Sequence, residues 1–257
     1  MSSSRRRSSG VKVVPTIIGI VIVLAVIAIA AEIGVRYFIG EKISEGFQEE
    51  SARRGVATQL HPKASFGSSP VLPVLVTKEI SHLEVNTPST LEVKDPAALS
   101  GQPEVIGDPA AKIVMAKVNA ANPDDPVAGS ARIEVTLSPE LLQALANRKT
   151  GARISSVTPL PGDGVFDVQY SSGIATSKLR PVLDGGNLSV NLEGGSVLGL
   201  NLDGLAKFIG DNNGNVFSLA VGHGLSVDEA NVTDEGLALV LSGADLPLST
   251  VSQLHFE

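Results

Sequence analysis

The sequence predicts an α+β chain: an N-terminal transmembrane helix, a second long helix, and then many antiparallel strands with few helices among them. Three observations predict it. A single uncharged apolar run of 19 residues, Val13 to Ala31, follows a short basic tail. Apolar residues then recur with a helical period as far as Leu60. From Pro62 onward the pattern turns to short alternating stretches cut by Gly, Pro, Asn and Asp, with no βαβ rhythm. These shifts divide the chain into a cytoplasmic tail at 1–12, an anchor at 13–31 and an extracytoplasmic domain at 32–257.

As a helix, the apolar run spans roughly 28 Å at 1.5 Å per residue, close to the ~30 Å of a bilayer's hydrocarbon core. Arg5, Arg6, Arg7 and Lys12 precede it and no acidic residue does. The excess of positive charge places the N-terminus in the cytoplasm and the rest of the chain outside, as a single-pass protein of the cell membrane. A cleavable signal with Ala28-Ile29-Ala30 as its processing site is the competing reading, although such segments have shorter apolar regions, about 7–15 residues. Both readings put the folded part outside.

Within the following helix, expected over Glu32 to Leu60, Ile39, Ile43 and Phe47 fall on one side. Glu41, Lys42, Glu45 and Glu49 fall on the other. Gly40, Gly46 and Gly55 each weaken this helix by about 1 kcal/mol relative to Ala, so it needs packing support. Strands are expected around Leu83-Glu84-Val85, Ile113-Val114-Met115, Ile133 to Leu137, Val165 to Tyr170, Ile174 to Leu179, Leu188 to Leu192 and Leu237 to Leu241. Gly162-Asp163-Gly164, Asp184-Gly185-Gly186-Asn187 and Gly194-Gly195 read as the turns between strands. Ser138-Pro139-Glu140 combines an N-cap, a Pro at the first helical position and an early acid, and starts a helix carrying Leu141, Leu142 and Leu145. A shorter helix is expected at Leu205 to Ile209, ended by Asp211-Asn212-Asn213-Gly214-Asn215.

Composition narrows the function. Cys is absent, which removes disulfides, thiolate metal sites and Cys nucleophiles. The chain's net charge is −7, so the part after Ala31, without the four positive charges of the tail, carries −11. That charge, with 4% aromatics and no Trp, argues against nucleic acid. There is no G-x-S-x-G elbow, P-loop, G-x-G-x-x-G or H-E-x-x-H. His61, His82, His223 and His255 have no metal-ligand spacing, and Asp211 to Gly214 does not fit an EF-hand loop. Neither a cofactor nor a metal is expected. Asp124 and Asp125, between Pro123 and Pro126, read as a rigid solvated loop.

Several segments together resemble the LmeA-like family of actinobacterial phospholipid-binding envelope proteins. They are the tail, anchor and amphipathic helix; Phe66-Gly67-Ser68-Ser69-Pro70-Val71-Leu72; Ile80 with Leu83-Glu84-Val85; Val135 to Leu142; and Gly236 to Leu248. The resemblance covers most of the chain and rests on apolar patterns and turns. It implies a tubular lipid-binding fold, a long helix wrapped by a strongly curved antiparallel sheet, and phospholipid binding in envelope glycolipid assembly. The family often carries an Asp-Arg pair just beyond the anchor. Glu32 and Arg36 stand there with different spacing, so no role is carried onto them.

The expectation is therefore a membrane-anchored, non-enzymatic protein holding phospholipid or glycolipid acyl chains in an apolar groove. Ile39, Ile43, Phe47, Leu141, Leu142 and Leu145 are the candidate lining. The alternatives are an envelope adaptor with a solid β core and a hydrolase with dispersed carboxylates.

Overall fold

The computed structural model describes residues 13–94, 103–122, 125–150, 154–170, 175–197, 200–201, 215–219 and 224–249. Its first element is one continuous helix, α1 (Val13–Arg53), in which the apolar run passes directly into the amphipathic stretch. It ends earlier than expected. Gly55 is not a weak point inside the helix but its stop: at φ 84° its N–H donates to the Ala52 carbonyl, and the Val56 N–H donates to that of Ser51. This double closure is a Schellman motif, in which a left-handed Gly caps the last carbonyls. Val56, the apolar residue that follows such a cap, is buried.

Strand β1 (Lys63–Ser65) and a single turn of helix, α2 (Val74–Thr77), lead into β2 (Glu79–Thr87). The small pair β3 (Glu92–Lys94) and β4 (Glu104–Ile106) precedes β5 (Ala111–Asn119), β6 (Val127–Leu137) and α3 (Pro139–Thr150). Next come β7 (Ile154–Leu160), β8 (Val165–Tyr170), β9 (Ala175–Asp184), β10 (Asn187–Val197), β11 (Leu200–Asn201) and β12 (Asn215–Leu219). The last are β13 (Leu225–Thr233) and β14 (Gly236–Pro247). One antiparallel sheet has the order β1-β2-β5-β6-β14-β13, and a second has β11-β10-β9-β8-β7 with β12 also on β10.

The fold class is thus α+β, mostly antiparallel, as the turn spacing predicts. Seven strands escape the sequence pattern: β1, β3, β4, β11 and β12 are short, and β7 and β13 mix polar residues into their runs. Gly194-Gly195 is not a turn: it sits inside β10 at a register shift opposite β9. There a Cβ on Gly195 would lie 2.7 Å from the Thr176 carbonyl oxygen, so the glycine permits close strand approach. The expected Leu205 to Ile209 helix and the turn at Asp211 to Gly214 lie outside the described residues. So do the side chains of 13–24, most of the apolar run. Among the described residues no helix is long and apolar enough to cross a membrane.

The first sheet has an apolar face and a polar one. Leu83 and Val85 on β2, Met115 on β5, Ile133 and Val135 on β6, and Leu239 and Leu241 on β14 are buried on the first. Ion pairs such as Arg132 with Glu229, 3.3 Å, occupy the other, the usual alternation of a one-sided antiparallel sheet. That alternation resets along a single row. Ser81, Lys117, Gly129 and Asp245 stand opposite one another on β2, β5, β6 and β14, unpaired between residues that are paired. Beyond the row the buried positions change parity, from Leu83 to Ile80, Met115 to Val118 and Ala131 to Ala128. Lys117 and Asp245 both adopt φ 52°. Each row residue faces one partner, so the register carries through the row across all four strands.

Helix α3 starts where its cap predicts: the Ser138 hydroxyl accepts from the Leu141 N–H at 3.3 Å. Gln143 and Asn147 on this helix hydrogen-bond both backbone groups of Ile154, fixing the start of β7. The two sheets meet where the Val227 N–H donates to the Gly186 carbonyl, 2.8 Å, at the tight β9–β10 turn.

Candidate functional site

The C-terminal half of α1 lies over the apolar face of the first sheet. Val35, Ile39 and Ile43 pack against the core from one side of the helix, at a spacing of four that returns to the same face after each turn. Past Ile43 the helix and sheet no longer close fully. A groove of about 420 Å³ runs between them, within the range of small-molecule pockets. Its helix wall is Ile43, Gly46 and Phe47. Its floor is Leu83 and Val85 of β2, Ile113 and Met115 of β5, Ile133 and Val135 of β6, and Leu241 of β14.

Gly46 helps to open this space. A Cβ built on it would meet nothing within 4 Å, so the wall is one side chain short at that turn. Besides its charged residues, the lining's one polar side chain is Thr87, whose hydroxyl donates to the Ala111 carbonyl at 3.2 Å. Charge gathers at one end, where Glu50, Arg54 and Asp108 complete the lining. Arg54 donates to Glu50 at 3.0 Å and to Asp108 at 2.5 Å, and Arg53 adds a longer contact to Glu50 at 3.4 Å. The Arg54 guanidinium is therefore already engaged by two carboxylates. Chemically, the groove offers an apolar channel with a polar, ion-paired end.

The expected lining residues separate. Ile43 and Phe47 form the helix wall. Ile39, one turn nearer the N-terminus, packs on the core outside the groove. Leu141 is buried at 2% exposure in the core, with Leu142 and Leu145 packed against that same core. Helix α3 lies against β7, so its leucines do not wall the groove. The floor residues went unassigned because a strand pattern shows which residues share a face without showing what covers that face. Among the described residues no group of three His, Asp or Glu side chains could hold a metal ion. His61 lies beside α1, its Nδ1 2.6 Å from the Ser44 hydroxyl. His82 packs beside Gly67. His223, His255, Pro123 and Asp124 lie outside the described residues, and Asp125 accepts from the Ser249 N–H.

A second cluster joins two segments that the sequence kept apart. The Glu32 carboxylate accepts the Val71 N–H at 2.7 and 2.9 Å and the Leu72 N–H at 2.7 Å. Arg36, paired with Glu32 at 2.8 Å, donates to the carbonyls of Gly67 and Ser69. Its guanidinium also lies 5.7 Å from the centre of the buried Phe66 ring. The Val71 N–H, then Arg36 and the Leu72 N–H, outweigh burial and hold Glu32 below the ordinary glutamate value. Comparison with known protein families, with curated proteins and with solved structures finds no match.

Proposed function

We propose that this chain is a membrane-anchored, extracytoplasmic lipid-binding protein that shelters the acyl chains of phospholipid or glycolipid in the groove beneath α1. The observation that carries the reading is the groove itself: an apolar trough whose helix wall is Ile43 and Phe47 and whose floor is aliphatic. Acyl chains need no directional partners, and an aliphatic channel supplies none. Water in such a channel is poorly bonded, so an apolar guest gains by displacing it. The ion-paired Glu50, Arg54 and Asp108 end suits a polar head that stays at the mouth.

The apolar run with four positive charges before it supports an anchor, and the −11 of the remainder supports capture by apolar burial over attraction to anionic headgroups. The likeness to LmeA-like proteins, with their tubular domains, points the same way. No covalent chemistry enters this reading.

The test uses the full chain in vesicles doped with a phospholipid whose acyl chain carries a photoreactive diazirine. Labelling is expected on the α1 segment around Ile43 and Phe47 and on β5 or β6. Labelling confined to the apolar run would overturn the groove reading and leave an adaptor with a closed core.

A further inference from the structure

We infer that the segment 66–77 is a second membrane contact, with Leu75 and Val76 seated in the headgroup layer of the bilayer that holds the anchor. The inference rests on the anchored reading proposed above. Three observations converge on it.

The first is where large apolar side chains are left in water. Past Ala31, the described residues expose Ile33, Tyr37 and Phe38 on α1, and Leu75 and Val76 on α2, the last at 87%. The remaining ones, Leu60, Val127 and Leu183, stand singly. A concentration of this kind on an otherwise acidic domain marks an interaction surface.

The second is the Glu32–Arg36 cluster, which ties the segment to α1. Glu32 holds the N–H groups of Val71 and Leu72, and α2 begins two residues later. The Leu75 N–H bonds the Leu72 carbonyl at 3.2 Å, so the exposed pair stands within one turn of the clamp. Buried Val71 and Phe66 anchor the segment from below.

The third is level. α1 continues unbroken past Ala31. At 1.5 Å per residue, Glu32 to Phe38 lies within roughly 10 Å of the end of the apolar run. The headgroup region adds about 5–8 Å beyond the hydrocarbon on each side. The clamp therefore holds α2 at headgroup depth, where Tyr37 and Phe38 are the residue types that favour the interface. The segment 66–77 carries no charged side chain, and the clamp engages its backbone at Gly67, Ser69, Val71 and Leu72. A lipid surface is the occupant that fits this level.

The chain has no Trp, so an introduced indole reports alone. The full chain, as Leu75→Trp and separately Val76→Trp, is placed in phosphatidylcholine vesicles containing brominated acyl chains. Leu60→Trp is the water-exposed control, because its neighbour His61 bonds Ser44, roughly 20 Å along α1 from Ala31. Blue-shifted emission that brominated lipid quenches is expected at 75 and 76, and neither effect at 60. Combining Glu32→Gln and Arg36→Gln with Leu75→Trp should release the segment and lose most of the quenching. Emission at 75 and 76 as water-exposed as at 60 would overturn the proposal. So would a blue shift that brominated lipid does not quench, which marks a protein partner or a second copy, and so would quenching undiminished by loss of the clamp. Flotation of the chain with the vesicles reads the anchor separately, and diazirine labelling reads the groove. Failure of this contact with both of those intact is thus distinguishable from failure of the reading it rests on.

Discussion

Gly46 shows how one residue can set opposite demands on stability and on binding. In a helix interior, glycine costs about 0.5–1 kcal/mol relative to alanine, and here no neighbouring atom forbids a side chain. Stability alone favours replacement. The groove favours the gap, since Gly46 is part of its wall. Gly46→Leu is therefore expected to hold or raise the unfolding free energy, by up to about 1 kcal/mol, while reducing uptake of a fluorescent phospholipid. Chemical denaturation and lipid titration of the same variant make the comparison. Reduced stability with unchanged uptake would show that position 46 faces away from the bound chain.

At the scale of elements, what could be read from the sequence was local. Ser138-Pro139-Glu140 places the start of α3 because capping is decided within one turn. The Gly185-Gly186 pair marks the β9–β10 hairpin because its two left-handed residues leave little choice of turn. Ile43 and Phe47 were legible as one helix face. The strands facing them were not, because pairing β2 with β5 and β14 with β6 joins residues far apart in sequence. For the same reason Glu32 and Leu72, forty residues apart, gave no sign of meeting. The parity row was hidden too, since Lys117 has no preference for a left-handed backbone and Asp245, of a type that tolerates one, does not mark it alone. Such a conformation costs an ordinary residue such as Lys117 about 1–2 kcal/mol. Lys117→Gly is expected to be neutral or stabilising by up to about 1 kcal/mol, because relief at φ 52° offsets glycine's greater unfolded-state freedom. Ala116→Gly, one residue away in ordinary strand geometry, should instead cost about 0.5–1 kcal/mol. Equal losses at both positions, measured by denaturant unfolding, would remove Lys117 as a source of strain.

For the whole molecule, the charge distribution and the continuity of α1 lead to one further prediction. The tail holds four positive charges and no negative ones, while the chain beyond Ala31 carries −11. Positively charged flanks are retained on the cytoplasmic side during insertion, whereas acidic residues oppose translocation little. A secreted-side reporter such as a periplasmic phosphatase, fused after Glu257, should therefore be active, and a reporter that works only in cytoplasm should be silent there. The opposite pair of results would invert the orientation and remove the extracytoplasmic reading with it. Processing after Ala30 is a separate matter, read from the size of the mature chain. The unprocessed size is expected, because the 19-residue run exceeds the usual apolar region of a signal peptide, about 7–15 residues. Cleavage there would still leave Glu32 and Arg36 in the chain with their bonds to the 67–72 segment. The membrane would then be held by the apolar tips on α1 and α2 alone, without a spanning helix, and such shallow contacts bind reversibly. Resistance of the membrane-bound chain to extraction by alkaline carbonate separates the two cases: a spanning helix stays with the bilayer, and a chain held only by its interfacial residues is released.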